Sequence, residues 1–177
     1  MTSTQEAAVV VPDFGDEDTD RTMCFIASKG TLDMVYPSLV MANAALGEGV
    51  ETHIFFTFWG MDIINKETQD DLQFTWLGNT AMHPPGKKMH MPQGLAGLPG
   101  MTGIATKMMK KQIADLDVPE VPEFVQMIAD AGGHLWACKM SADMMDLELD
   151  DLVEGVEGII TATDFIELSD GGQVIFT

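Results

Sequence analysis

Apolar residues along the chain follow two alternating spacings. Short unbroken apolar runs are separated by longer stretches in which apolar side chains recur every three or four positions. Met23-Cys24-Phe25-Ile26-Ala27 is the first run and predicts a buried strand closed by Ser28-Lys29-Gly30. Thr31 to Leu46 then places Leu32, Val35, Tyr36, Leu39, Val40, Ala42 and Leu46 on a helical stripe that ends at Gly47 and Gly49. Pro37 inside it predicts a kink or an early-turn proline. Val50 to Phe58 is rich in β-branched and aromatic residues and predicts a second strand, closed by Trp59-Gly60 and followed by a short helix through Ile64. Pro119 to Ala131 predicts a helix with Val121, Phe124, Val125 and Ile128 on one face, stopped by Gly132-Gly133. His134 to Cys138 is a third strand, and Met140–Met145 and Leu149–Val153 are short helices. A fourth strand at Gly158–Thr161, a helix at Ala162–Leu168 and a last strand at Gln173–Thr177 complete the series.

Strands alternating with helices imply βαβ units, hence an α/β fold: a three-layer α/β/α sandwich around a mainly parallel sheet with right-handed crossovers. Functional groups in such sheets gather at the carboxyl ends of the strands. That rule points to Ser28–Gly30, Thr57–Gly60 and Cys138–Ser141. Two segments stand outside the alternation. Residues 1–20 read as a flexible tail, with an acidic run at Asp16-Glu17-Asp18. Residues 79–111 read as a Met-, Gly- and Pro-rich insertion, helical from Met101, within a single domain spanning 21–177. Five of the nine basic residues sit in that insertion: Lys87, Lys88, Lys107, Lys110 and Lys111.

Charge narrows the function classes. The 177 residues carry 28 acidic and 9 basic side chains, a formal net charge of −19. A surface of that sign repels phosphate, so nucleic acid is not an expected partner. An acidic surface poor in lysine suits a high-salt cytoplasm, where screening removes the self-repulsion. No apolar run reaches the roughly 18 to 20 residues of a membrane span. The N-terminus lacks the basic n-region of a secretory signal, and a cytoplasmic location is expected. Two cysteines there are expected to be reduced thiols rather than a disulfide framework.

Cys138 is the leading candidate for chemistry. It ends a strand just before Lys139-Met140-Ser141, which opens a helix. Backbone amides at a helix start and a neighbouring lysine both favour the thiolate, the nucleophilic form. The plainer alternative is a buried, inert cysteine. Cys24, about four residues before the carboxyl end of its strand, lies on the order of 13 Å from that edge and reads as core packing rather than as a resolving partner. The loop Ser28-Lys29-Gly30-Thr31 can cradle an anion, or be an ordinary βα turn with Thr31 as N-cap. Met89-His90-Met91 with His83 offers soft-metal ligands, but without a second ligand cluster the favoured reading is a lid or a partner surface. His53 and His134 lie on strands and read as structural. No cofactor and no metal are expected.

Two runs carry a family resemblance. Phe55-Phe56-Thr57-Phe58-Trp59-Gly60 resembles the FFTFWG signature of one subgroup of the DsrE/DsrF/DsrH-like family. Ala137-Cys138-Lys139-Met140-Ser141-Ala142-Asp143-Met144-Met145 resembles that subgroup's AC-x-MS-x-D-x-M motif. With the Met-rich, Lys-containing segment before Lys111, the resemblance covers residues 22 to about 165. It implies a five-stranded parallel sheet, a homo-oligomer (a trimer or a multiple of one) and a role in sulfur metabolism. In that role Cys138 accepts sulfane sulfur as a persulfide and hands it on, with TusA-like or rhodanese-like proteins as partners. Beside the resemblance, physical reasoning gives supporting roles to Ser141, at the helix start, as a hydrogen-bond donor to the sulfur, to Lys29 and Lys139 as charges that balance the transfer, and to Gly30 in the neighbouring loop. A peroxiredoxin-like reading fits poorly, because no resolving cysteine is in reach. The alternative to a sulfur carrier or sulfurtransferase is a non-catalytic scaffold whose segment 82–111, basic and apolar on an acidic protein, docks on a partner or on anionic lipid.

Overall fold

The computed structural model describes residues 21–75, residue 77 and residues 93–177. The tail at 1–20, and the readings of His83, Lys87, Lys88 and Met89-His90-Met91, lie outside the described residues. The strands are β1 (Thr22–Ala27), β2 (Glu51–Phe56), β3 (His134–Cys138), β4 (Val156–Ile160) and β5 (Gln173–Phe176). The helices are α1 (Leu32–Gly47), α2 (Gln93–Ala96), α3 (Met101–Ala114), α4 (Val121–Asp130), α5 (Lys139–Met145) and α6 (Ala162–Leu168). The strands form one five-stranded sheet in the order β4-β3-β2-β1-β5, and every pairing is parallel. This is the α/β/α architecture that the alternating spacings imply.

The helical stripes bury most of the residues their periodicity selects, although in α1 Val40 faces outward and Tyr36 and Leu46 are only half-buried. In α4, Val121, Phe124, Val125 and Ile128 are buried; in α1, Leu32, Val35, Leu39 and Ala42 are. Two boundaries differ from the sequence pattern, and one segment packs more closely than it suggests. β2 ends at Phe56 rather than Phe58, because Phe58 takes a positive φ of 47° and opens a 3-10 turn over Phe58–Ile63. β4 begins earlier than Gly158, at Val156. The end of the presumed insertion is not peripheral: α3 buries Ala105 and Thr106, and its Met101, Met108, Met109 and Ile113 pack against the core. The Thr106 hydroxyl also accepts a hydrogen bond from the Phe74 N–H at 2.9 Å, tying the helix to the chain that follows the 3-10 turns.

The two faces of the sheet are covered unequally. One face, carrying Phe25, Ala27, Ile54, Phe56, Leu135 and Ala137, holds the main core with α1, α3 and α4. The opposite face carries Cys24, Phe55 and Cys138, packed against Phe165 and Leu168 of α6. Phe55 and Phe165 stack there with ring centroids 4.5 Å apart. Among the described residues no helix is long and apolar enough to cross a membrane.

At the carboxyl edge the loops after β1 and β2 interlock through glycines. A Cβ at Gly60 would collide with the Ala27 carbonyl, and one at Gly30 with the Trp59 carbonyl. Backbone cannot yield as a flexible side chain can, so both positions require glycine for close approach. Gly60→Ala is therefore expected to destabilise the protein by about 2 to 3 kcal/mol in urea unfolding. Gly47→Ala, in open space at the end of α1, is the control and should be neutral or slightly stabilising. Equal stabilities for the two variants would contradict the interlock.

Candidate functional site

Cys138 is the last residue of β3 and the N-cap position of α5. The β2–β3 register pairs Phe56 with Ala137, which sets Thr57 beside Cys138. Ser141, one turn into α5, is fully buried, and its Oγ lies 3.2 Å from Thr57 Oγ1. The Phe58 N–H donates to Ser141 Oγ at 2.8 Å. With its lone pair engaged by that amide, the Ser141 hydroxyl keeps its proton to give. The left-handed backbone of Phe58 aims the amide there, a conformation that costs on the order of 1 kcal/mol for a non-glycine residue. The two motif runs thus meet through one serine.

Two opposing effects act on the thiol. Burial pushes Cys138 up, but hydrogen bonds from the Thr57 hydroxyl, from the Ser141 N–H and hydroxyl and from the Met140 N–H outweigh it, and the thiol settles below its ordinary 9.0. Cys24 goes the other way: burial raises it, and the Glu51 carboxylate raises it further. The register aligns Cys24 with His53, four positions before Thr57 and one strand beyond it. The two sulfurs are therefore separated by about 13 Å along the strands and about 10 Å across them. A disulfide needs Cα atoms within about 7 Å, and both cysteines are free.

The other sequence candidates surround this centre at differing range. Ser141 is part of it. Lys139 directs its ammonium to Asp143, 3.0 Å away, so the downward pull on the thiol comes from hydroxyls and amides instead. Lys29 is exposed, and with Gly30, Thr31, Trp59 and Asp62 it lines an open depression of about 340 Å³. Asp62 is raised there by burial, partly offset by the Thr68 hydroxyl. Thr31 is the N-cap residue of α1, yet its side chain makes no capping hydrogen bond. Thr57 was within reach of sequence reasoning only as part of a strand-end loop, since its role depends on the register of β2 and β3. The two elements that meet at the thiol also carry exposed apolar side chains: Phe58 and Trp59 at the start of the 3-10 turn, and Met140 and Met144 on α5.

Alkylation of Cys138 followed across pH should give a midpoint below 9.0. Ser141→Ala leaves burial less opposed, so the midpoint should rise, by about one pH unit for a lost charge-assisted hydrogen bond. A wild-type midpoint at or above the ordinary value, or one unmoved by the substitution, would contradict the geometry.

Comparison with known proteins bears on the family and the fold. The sequence model of the DsrE/DsrF/DrsH-like family matches residues 19–176. The chain is 34% identical over 138 residues to the sulfur carrier protein DsrE2 of Allochromatium vinosum, covering 77% of this chain and 86% of that protein. It is 27% identical over 162 residues to the uncharacterized protein YrkE of Bacillus subtilis, covering 90% and 98% of the two. In fold it is similar to MTH1491, a protein of unknown function from Methanobacterium thermoautotrophicum, with a TM-score of 0.55 and 12% identity over 89% of this chain and 100% of that one. A match across residues 19–176, nearly the whole sequence, shows that the chain belongs to the DsrE/DsrF/DrsH-like family.

Proposed function

We propose that this protein is a sulfur carrier that holds sulfane sulfur as a persulfide on Cys138 and passes it to a partner thiol. The observation that carries this reading is a buried cysteine whose thiol is nonetheless lowered, by hydrogen bonds from Thr57, Ser141 and Met140. The resemblance to a protein named a sulfur carrier supports it.

In the loading step the Cys138 thiolate attacks the outer sulfur of a donor persulfide. A new S–S bond forms, the donor's S–S bond breaks, and the donor leaves as a thiolate. In the unloading step a partner thiolate attacks the outer sulfur on Cys138, and Cys138 departs as a thiolate. Neither step needs an external oxidant. The donors that lower the thiol raise the thiolate fraction that attacks in loading and stabilise the thiolate that leaves in release, so they speed exchange without fixing its direction. The same exchange serves a stoichiometric carrier or a sulfurtransferase.

The exposed apolar side chains of Phe58, Trp59, Met140 and Met144 are the surface on which a TusA-like or rhodanese-like protein would seat its own sulfur-bearing residue. Lys29 and Lys139 are the cations at this edge, and in our reading they offset negative charge during transfer; unchanged loading in their alanine variants removes that role. The edge strand β5 exposes Val174 and Phe176, which supports a homo-oligomer built on that edge, a trimer or a multiple of one in a cytoplasmic protein. A second reading, docking through segment 82–111, is favoured by the exposed Leu95, Leu98 and Ile104 beside the exposed lysines of α3. Liposome flotation with and without that segment separates it from a freely diffusing carrier.

Intact mass spectrometry after incubation with polysulfide is expected to show added sulfur on the wild type and on Cys24→Ala, reversed by reductant and absent from Cys138→Ser. Loading that persists in Cys138→Ser, or none on folded wild type, would overturn the proposal.

A further inference from the structure

A second group of ionisable side chains occupies the amino-terminal end of the sheet, away from the thiol. His53 of β2 and His134 of β3 are register partners, and their rings stack with centroids 4.6 Å apart and 19° between planes. Glu51 Oε1 lies 3.3 Å from His53 Nε2, and Glu157 Oε1 lies 2.6 Å from His134 Nδ1. One donor atom each from Glu51, His53 and His134 fall within 4.8 Å of one another. Sulfur transfer at Cys138 uses none of them.

We propose that Glu51, His53 and His134 bind one divalent transition-metal ion of the zinc type, with Glu157 orienting His134. Two imidazoles and a carboxylate are a donor set that zinc takes up, with a further position left to water. The short contact to Glu157 is the carboxylate–histidine pairing typical of metal sites. It holds the His134 proton on Nδ1 and leaves the Nε2 lone pair for an ion. The 3.3 Å between His53 Nε2 and Glu51 Oε1 is long for a hydrogen bond. It is close to the separation, about 3.4 Å, of two ligands each about 2.1 Å from a tetrahedral ion.

Closing the remaining gap takes a shift of about 1.4 Å, from 4.8 Å towards that ligand separation, and a turn of the His134 ring out of the stack, because rings only 19° apart in plane direct their lone pairs side by side rather than towards one point. The side chains that must move reach solvent, and each gives up a contact: Glu51 the Thr22 hydroxyl at 3.3 Å, and His134 its stack on His53, with Glu157 turning alongside it. Glu51 and His134 are 59% and 37% exposed, whereas His53, at 8%, is held. Binding displaces one further interaction. The Trp136 indole N–H now donates to His53 Nδ1 at 3.3 Å, and an ion on Nε2 moves the ring proton to Nδ1, so the indole must turn away. The +2 charge is matched by the two carboxylates, and the ion would tie β2 to β3.

The test is competition titration with zinc chloride on the full chain in a Cys138→Ser background, so that the reactive thiol supplies no ligand. One zinc per chain is expected, lost in His134→Ala and weakened about tenfold or more in Glu157→Gln. It should be retained in the His83→Ala/His90→Ala variant. Zinc should also raise the thermal midpoint of the parent and leave that of His134→Ala unchanged. No zinc bound to folded protein at micromolar free ion, or equal binding in His134→Ala and the parent, would overturn the proposal. So would loss confined to the His83/His90 variant.

Discussion

The hydroxyl of Ser141 is the joint on which the carboxyl edge of the sheet depends. It accepts the Phe58 amide and lies beside the Thr57 hydroxyl, so the loop after β2 and the start of α5 are fixed to each other through one oxygen. Phe58 can aim its amide there only in a left-handed conformation. The loop that carries Phe58 is wedged against the loop after β1 by Gly30 and Gly60. A strained residue persists where its surroundings over-determine it, and here the glycine interlock and the serine do so together.

The same joint separates the two cysteines chemically, although they belong to one apolar cluster. Burial alone would leave both as inert thiols. Cys24, in the middle of a strand, is buried and lies in the field of Glu51, and both raise it. Cys138 sits where the strand stops, so amides of the next helix are unpaired and two hydroxyls converge. Its burial then becomes useful, because hydrogen bonds to sulfur are stronger away from water. Exposed Met140, Met144, Phe58 and Trp59 on the two elements that meet there leave a surface that a partner can cover while sulfur is exchanged.

Much of this was legible in the sequence, and what was not has a common cause. The two spacings are properties of single elements, so the order of strands and helices, the buried face of α4 and the position of Cys138 and Ser141 at a strand end could be read directly. Features that depend on how elements meet could not. Thr57 reaches Cys138 only because β2 and β3 pair in one register, and the His53–His134 stack depends on the same pairing. The early end of β2 reflects the φ of Phe58, which no propensity favours. The helical end of the insertion was legible from Met101, but its packing was not: the burial of Ala105 and Thr106 depends on the chain around Phe74 that α3 meets. The engagement of Lys139 was visible in principle, since Asp143 follows it at the i,i+4 spacing of helical ion pairs.

Sulfur release tests the central claim most directly, because loading alone could occur on any accessible thiol. Protein preloaded with one sulfane sulfur is mixed with a small thiol acceptor, and the mass of Cys138 is followed through repeated loading and discharge. The account predicts that wild type returns to unmodified Cys138 in every cycle, and that Thr57→Val and Ser141→Ala discharge about tenfold more slowly or worse, as expected when a hydrogen bond to the leaving thiolate is lost. Sulfur that stays on the protein, or discharge equally fast in all three proteins, would contradict it.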